Sequence, residues 1–175
     1  MNITILNPFL AAAKEVVQAE VQLEVTRGDL ALQRSAFTSQ DLTVLISLAG
    51  DIEGVVLYGL TTQTALALVS RMLDQEFKEM DAMAQSGISE LANVITGRST
   101  VNLSEAGFTC DISPPTLVQG QSIEISTVEF QRVVVPLETE VGIITAHLAL
   151  REAQASADNM PYIPIQVETA SPNGA

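Results

Sequence analysis

Basic residues are scarce in this 175-residue chain. Only 8 Lys and Arg stand against 21 Asp and Glu, a formal net charge of −13. So acidic a chain repels phosphate backbones, and no basic cluster overcomes that, which argues against nucleic acid and anionic membrane as partners. Most of the acids simply solvate the surface. Histidine and cysteine occur once each, so no internal disulfide or cysteine-spaced metal site can be assembled, and no Ser-His-Asp or Cys-His constellation is read from the sequence. No apolar run approaches the roughly 18 to 20 residues that span a bilayer. Residues 1–10 also lack the basic start and long apolar stretch of a secretion signal. A soluble, cytoplasmic protein is the expectation.

What the chain has is apolar content, 47% of its residues, enough for one domain with a sizeable core. Asn7-Pro8 predicts a capped helix start. Phe9, Ala12, Ala13, Val16 and Val17 continue that helix as an apolar stripe to about Ala19. Residues 21–26 alternate as a strand does, and Arg27-Gly28-Asp29 reads as a turn. Residues 42–48 and 54–60 read as a hairpin. Thr61 or Thr62 caps a second helix with Ala65, Leu66, Val69, Met72 and Leu73 on one face. A third, longer helix spans about residues 80–104, ending near Gly107.

Strands follow at residues 108–112, 122–126, 131–137 and 142–150, the last two as a hairpin across Glu138-Thr139-Glu140. Ser113-Pro114-Pro115 is a rigid bend, since proline cannot donate to a ladder and pushes its predecessor out of the helical region. From residue 151 the chain turns small, polar and proline-containing, as a tail does. Within it, residues 162–167 could dock as an extended segment. Short turns between strands imply a mainly antiparallel sheet, and helices grouped apart from strands imply packing on one face. The fold class is α+β.

Chemistry has few places to sit. His147 lies in an apolar strand and Cys110 beside Phe108 and Ile112, where packing roles are expected. Gly97, Gly107 and Gly120 form no phosphate-cradling loop. Met72, Met80 and Met83 fall at helical spacing and read as core. The third helix is different. With about 100° and 1.5 Å per residue, Glu90 and Asn93 lie roughly 60° and 4.5 Å apart, and Ser86 shares their side. Leu91, Val94 and Ile95 point elsewhere, toward a core. Asn is a poor helix former, so its place mid-helix needs a reason.

Ser86, Glu90, Asn93 and Pro115 match a known spacing: Asp or Ser, three residues, Glu, two residues, Asn, and a proline about twenty-two residues on. The chain resembles the CheC/CheX/FliY family of chemotaxis phosphatases, most closely its CheX branch. Ile112-Ser113-Pro114-Pro115-Thr116 resembles the family's segment around that proline. Asn7-Pro8-Phe9 resembles its opening helix, residues 61–73 its second helix, and residues 133–137 its late strand. The single motif copy matches the CheX branch rather than the two-site CheC pattern. Arg98 stands where a smaller or amide side chain is usual, but five residues after Asn93 it should leave that face.

The resemblance implies a CheC-like fold, with a CheX-like phosphatase domain over residues 1–150 and a polar tail over 151–175. It implies a hydrolase that removes the phosphoryl group from the phospho-aspartate of a CheY-like response regulator. By position, Asn93 would orient the attacking water and Glu90 would pair with a lysine of the regulator, with Ser86 also on the partner-binding face. No metal or cofactor of its own is implied, because the Mg²⁺ belongs to the regulator. A homodimer with sheets joined between subunits is also implied, through an exposed strand edge near residues 131–137. An acyl phosphate is already reactive, so catalysis is mostly positioning and charge stabilisation, for which a neutral amide suits better than an Asp. The alternatives are a non-enzymatic regulator-binding or scaffolding module on the same fold, and a FliY-type structural component of a switch complex. The absence of a second domain argues against the last, and the retained Asn93 argues for the enzyme.

Overall fold

Strand side chains alternate between two faces, so the pairs Val44–Tyr58, Ile46–Val56 and Leu42–Leu60 of the hairpin point one way. They join one large buried cluster, while Leu45, Val55 and Leu57 join a second on the opposite face. A computed structural model describes residues 3–34, 37–127, 131–153 and 166–169. Its elements are α1 (Ile3–Val21), β1 (Thr26–Arg27), β2 (Ala31–Gln33), β3 (Phe37–Thr38), β4 (Leu42–Gly50), β5 (Ile52–Leu60), α2 (Thr62–Met72) and α3 (Ala82–Glu105). They continue with β6 (Cys110–Ile112), β7 (Thr116–Gln119), β8 (Ile123–Ser126), β9 (Arg132–Thr139), β10 (Gly142–Glu152) and β11 (Gln166–Thr169).

The main sheet runs β1-β9-β10-β5-β4-β6, with β2 also on β9 and β7 also on β4. A smaller sheet runs β11-β8-β3. Every pairing among the described residues is antiparallel. The three helices pack on the Ile46–Val56 face, as the sequence implies. The other face is covered too, because the fully buried Ile125 of β8 lies against Leu45, Leu57 and Ala149. Cover on both faces explains why β5 is buried along its whole length.

Several sequence expectations shift. Helix α1 begins at Ile3, so Asn7 and Pro8 lie inside it. A proline in a helix interior costs about 3 kcal/mol, which burial of Ile5 and Leu6 in the added turn offsets at about 1.5–3 kcal/mol each. The strand expected over 21–26 is only Thr26–Arg27, since the helix runs to Val21 and Gln22 turns left-handed at φ 58°. Strand β7 has no counterpart in the sequence reading. Residues 131–137 are not an exposed edge: β9 is paired by β10 on one side and by β1 and β2 on the other. Met72 and Met80 pack against the core as expected, whereas Met83 is 57% exposed. Cys110 is half-buried rather than enclosed, and burial, then Asp111 and Asp51, push its thiol up. Of the candidate docking segment, Gln166 and Val167 open β11 on β8, and residues 162–165 lie outside the described residues.

The reverse face also holds buried charged and titratable groups. Arg132 is fully buried, with Nη2 3.3 Å from Gln33 Oε1, and His147 lies buried in the neighbouring strand. Glu53, nearly enclosed, accepts from Arg151 Nε at 2.6 Å. None of these groups is on the helix face of the sheet.

Candidate functional site

Helix α3 is anchored at each end. The Asp81 carboxylate caps its start by accepting from the Ala84 amide at 2.8 Å. Gly107, at φ +92°, closes its end in a conformation that side chains resist. Between them Ile88, Leu91, Ala92, Ile95 and Leu103 are buried, with Val94 partly so. Two contacts set its rotation. Helix α2 crosses so closely at Gly87 that a Cβ there would stand 2.4 Å from Val69 Cγ2. Beneath the helix, the Tyr58 hydroxyl of β5 meets Thr96 Oγ1 at 2.9 Å.

That rotation decides what faces outward. Ser86 and Glu90 are exposed and Asn93 is half-buried, on one side of the helix. Asn93 Nδ2 donates to Glu90 Oε2 over 3.5 Å, a long contact that turns the amide nitrogen toward the acid. Arg98 leaves this face as expected, and its Nε donates to Glu15 Oε2 of α1 at 2.9 Å.

The β6–β7 edge flanks the same face. Ile112 Cδ1 lies near Gly97, and Gln85 Nε2 donates to Gln119 Oε1 at 3.3 Å. The segment from Ile112 to Gln119 therefore runs antiparallel to α3, bringing its proline bend beside the middle of the helix. The bend is a bulge: between the pairs Leu48–Ile112 and Leu45–Thr116, Ile46 and Ser47 face Ser113, Pro114 and Pro115. The prolines have no amide to give, and Ser113 makes the local ladder. Its amide donates to the Ser47 carbonyl at 2.9 Å and its Oγ accepts from the Ser47 amide at 3.0 Å. The spacing from Asn93 to Pro115 is thus a packing relation between a helix and a strand edge.

Among the described residues no three His, Cys, Asp or Glu side chains gather as a metal site. The arrangement offers one acid, one neutral amide and one hydroxyl along the outward side of one helix. Such a surface can enter a partner's site more readily than it can enclose a small substrate.

Residues 42–138 match the family model described as chemotaxis phosphatase CheX. A curated protein of Thermotoga maritima named CheY-P phosphatase CheX is 30% identical over 128 residues, spanning 73% of this chain and 83% of that protein. The chain belongs to the chemotaxis phosphatase CheX family. Two solved relatives share the fold. A CheC-like superfamily protein from a Shewanella species aligns with TM-score 0.78 at 23% identity, over 86% of this chain and 99% of its own. CheX of Borrelia burgdorferi, solved in complex with CheY, BeF₃ and Mg²⁺, aligns with TM-score 0.68 at 25% identity, over 84% of this chain and 97% of its own.

Within this CheX-family chain, α3 and the proline bend both lie inside the matched residues. Sequence reading missed Gln85 and Gln119, which pin the strand edge against the helix. Nothing in their local pattern marks them, since Gln119 belongs to the strand that was missed.

Proposed function

We propose that this chain hydrolyses the phospho-aspartate of a CheY-like response regulator, with Asn93 positioning the attacking water and Glu90 docking the regulator. The observation that carries the reading is the pairing of Glu90 with Asn93 on the outward face of α3, in a chain of the CheX family. Water attacks phosphorus, the bond to the aspartate oxygen breaks, and aspartate and inorganic phosphate leave. Asn93 supplies an acceptor and a donor without charge, so it adds no repulsion beside the phosphoryl oxygens. Glu90 supplies a charged anchor for a cation of the regulator and sets the docking register, with Ser86 beside it. The chain brings no metal, and the Mg²⁺ sits with the regulator. The names of the two CheX relatives, a CheY-P phosphatase and a partner of CheY, support the substrate class.

The test is phosphate release from acetyl-phosphate-charged receiver domains of the same cell. Accelerated release from at least one is expected. Binding without acceleration would leave a regulator-binding module instead.

The protein works where its receiver does, in the cytoplasm; among the described residues no helix is long and apolar enough to cross a membrane. A second copy would join at the border formed by β1 and β2, where Leu32 is 65% exposed. A monomer in sedimentation at micromolar concentration would count against that pairing.

A further inference from the structure

Two glycines inside α3 have opposite surroundings. Gly87 is demanded by the protein's own packing, because a Cβ there would meet Val69 Cγ2 at 2.4 Å. Gly97 is not. A Cβ at 97 would meet only Ile112 Cδ1, at an ordinary contact distance of 3.8 Å. Its backbone is helical, with no positive φ that would favour glycine. Glycine is the poorest residue for a helix interior after proline, so the fold alone would be better served by alanine. The position matters: Gly97 follows Asn93 by four residues and Glu90 by seven, roughly 40° and 20° around the helix from each. The stretch of helix beyond the acid and the amide is bare backbone, bounded on one side by Ile112.

We infer that Gly97 is an interface residue, a notch that lets the main chain of the phosphorylated receiver come down onto α3 beside Asn93. The inference rests on the receiver being the partner, as proposed above. A carboxamide on a single methylene has little reach, so the helix backbone must approach the phosphoryl group closely for Asn93 to hold the water. Any side chain at 97 props the partner away. Glu90, one methylene longer, tolerates that gap better than Asn93 does.

Gly97→Ala and Gly97→Leu test this, because both residues favour helices. Melting temperature should rise by about 2–4 °C in the Ala variant. kcat/KM on the phosphorylated receiver should fall about tenfold with Ala and about a hundredfold with Leu, as displacement of the reacting groups grows. A Leu variant that melts at or above wild type and keeps kcat/KM within about twofold overturns the inference. A lowered melting temperature in the Ala variant overturns it as well, since glycine would then serve internal packing. Titration with receiver carrying beryllofluoride and Mg²⁺ separates this from the catalytic reading. If the wild type binds that receiver without accelerating hydrolysis, the catalytic reading fails, and Gly97 is judged on binding alone. Tenfold weaker binding by the Leu variant supports the notch, and unchanged binding overturns it. A wild type that binds no receiver of the cell overturns both.

Discussion

The hydroxyls of Tyr58 and Thr96 lie 2.9 Å apart in the buried seam between β5 and α3. Thr96 gives its one proton to the Ala92 carbonyl, also at 2.9 Å, so Tyr58 is the donor between them. Burial raises the Tyr58 pKa, which keeps that proton in place. The sheet thus holds the turn of α3 that carries Asn93 by a directed bond, in a contact otherwise made of apolar side chains. Tyr58→Phe removes only this donor. It should lower stability by about 1 kcal/mol, read as a shift of the denaturant midpoint at unchanged slope; no shift would show that packing alone sets the helix.

Asn93→Ala should leave the fold intact, because the side chain is half outside and alanine is the better helix former. Accelerated phosphate release should fall by about a hundredfold or more, as when a positioned polar group of an active site is lost. Undiminished turnover would remove Asn93 from the mechanism.

Glu90→Ala should act on docking. We expect KM for the phosphorylated receiver to rise about tenfold at low salt and the difference to narrow as ionic strength increases. A fall in kcat at unchanged affinity would reassign Glu90 from anchor to chemistry.

Acid should weaken the fold through His147. Its pKa falls from 6.5 to about 4 in the folded chain, first through burial and then through the nearby Arg132 guanidinium. Below pH 6.5 the unfolded chain therefore takes up a proton that the folded chain refuses. Stability contributed by the neutral ring is full above that pH, declines as pH drops toward about 4, and levels off below. The loss can reach about 3 kcal/mol. His147→Gln has no such proton, so the stability gap between variant and wild type should change across pH 4–6.5. A gap that stays flat would show that another group sets the acid response.

Much of this was legible because the informative segments are long and periodic. The β-branched and apolar runs 42–48 and 54–60 give the central hairpin, and Leu91 and Ile95 identify the inner face of α3, hence its outer one. Thr61 rather than Thr62 proved to be the cap, its Oγ1 accepting from the Thr64 amide at 3.1 Å. Short elements were not legible. Thr26–Arg27 and Ala31–Gln33 are exposed throughout, so the ladder to β9 holds them where no burial pattern could announce it. Thr116–Gln119 is squeezed between Pro115 and Gly120, too brief for alternation to register. The start of α1 was hidden for another reason: Pro8 mimics a helix beginning, and only the packed core shows that Ile5 and Leu6 outweigh it. At the candidate site, helical spacing showed that Ser86, Glu90 and Asn93 share one side of α3, and the flanking edge was legible as far as β6 and the proline bend, but β7 was not.

The Ser113-Pro114-Pro115 bulge has a consequence for assembly. A sheet grows by lending unused amides to a newcomer, and short edge strands broken by proline blunt that lending. The border beside Glu90 and Asn93 is made of such strands, so it is a sterile margin. In the pairing proposed above, a further copy of the chain adds at the opposite border, through β1 and β2. Self-association at that border and receiver capture at α3 would then occupy different sides of the molecule.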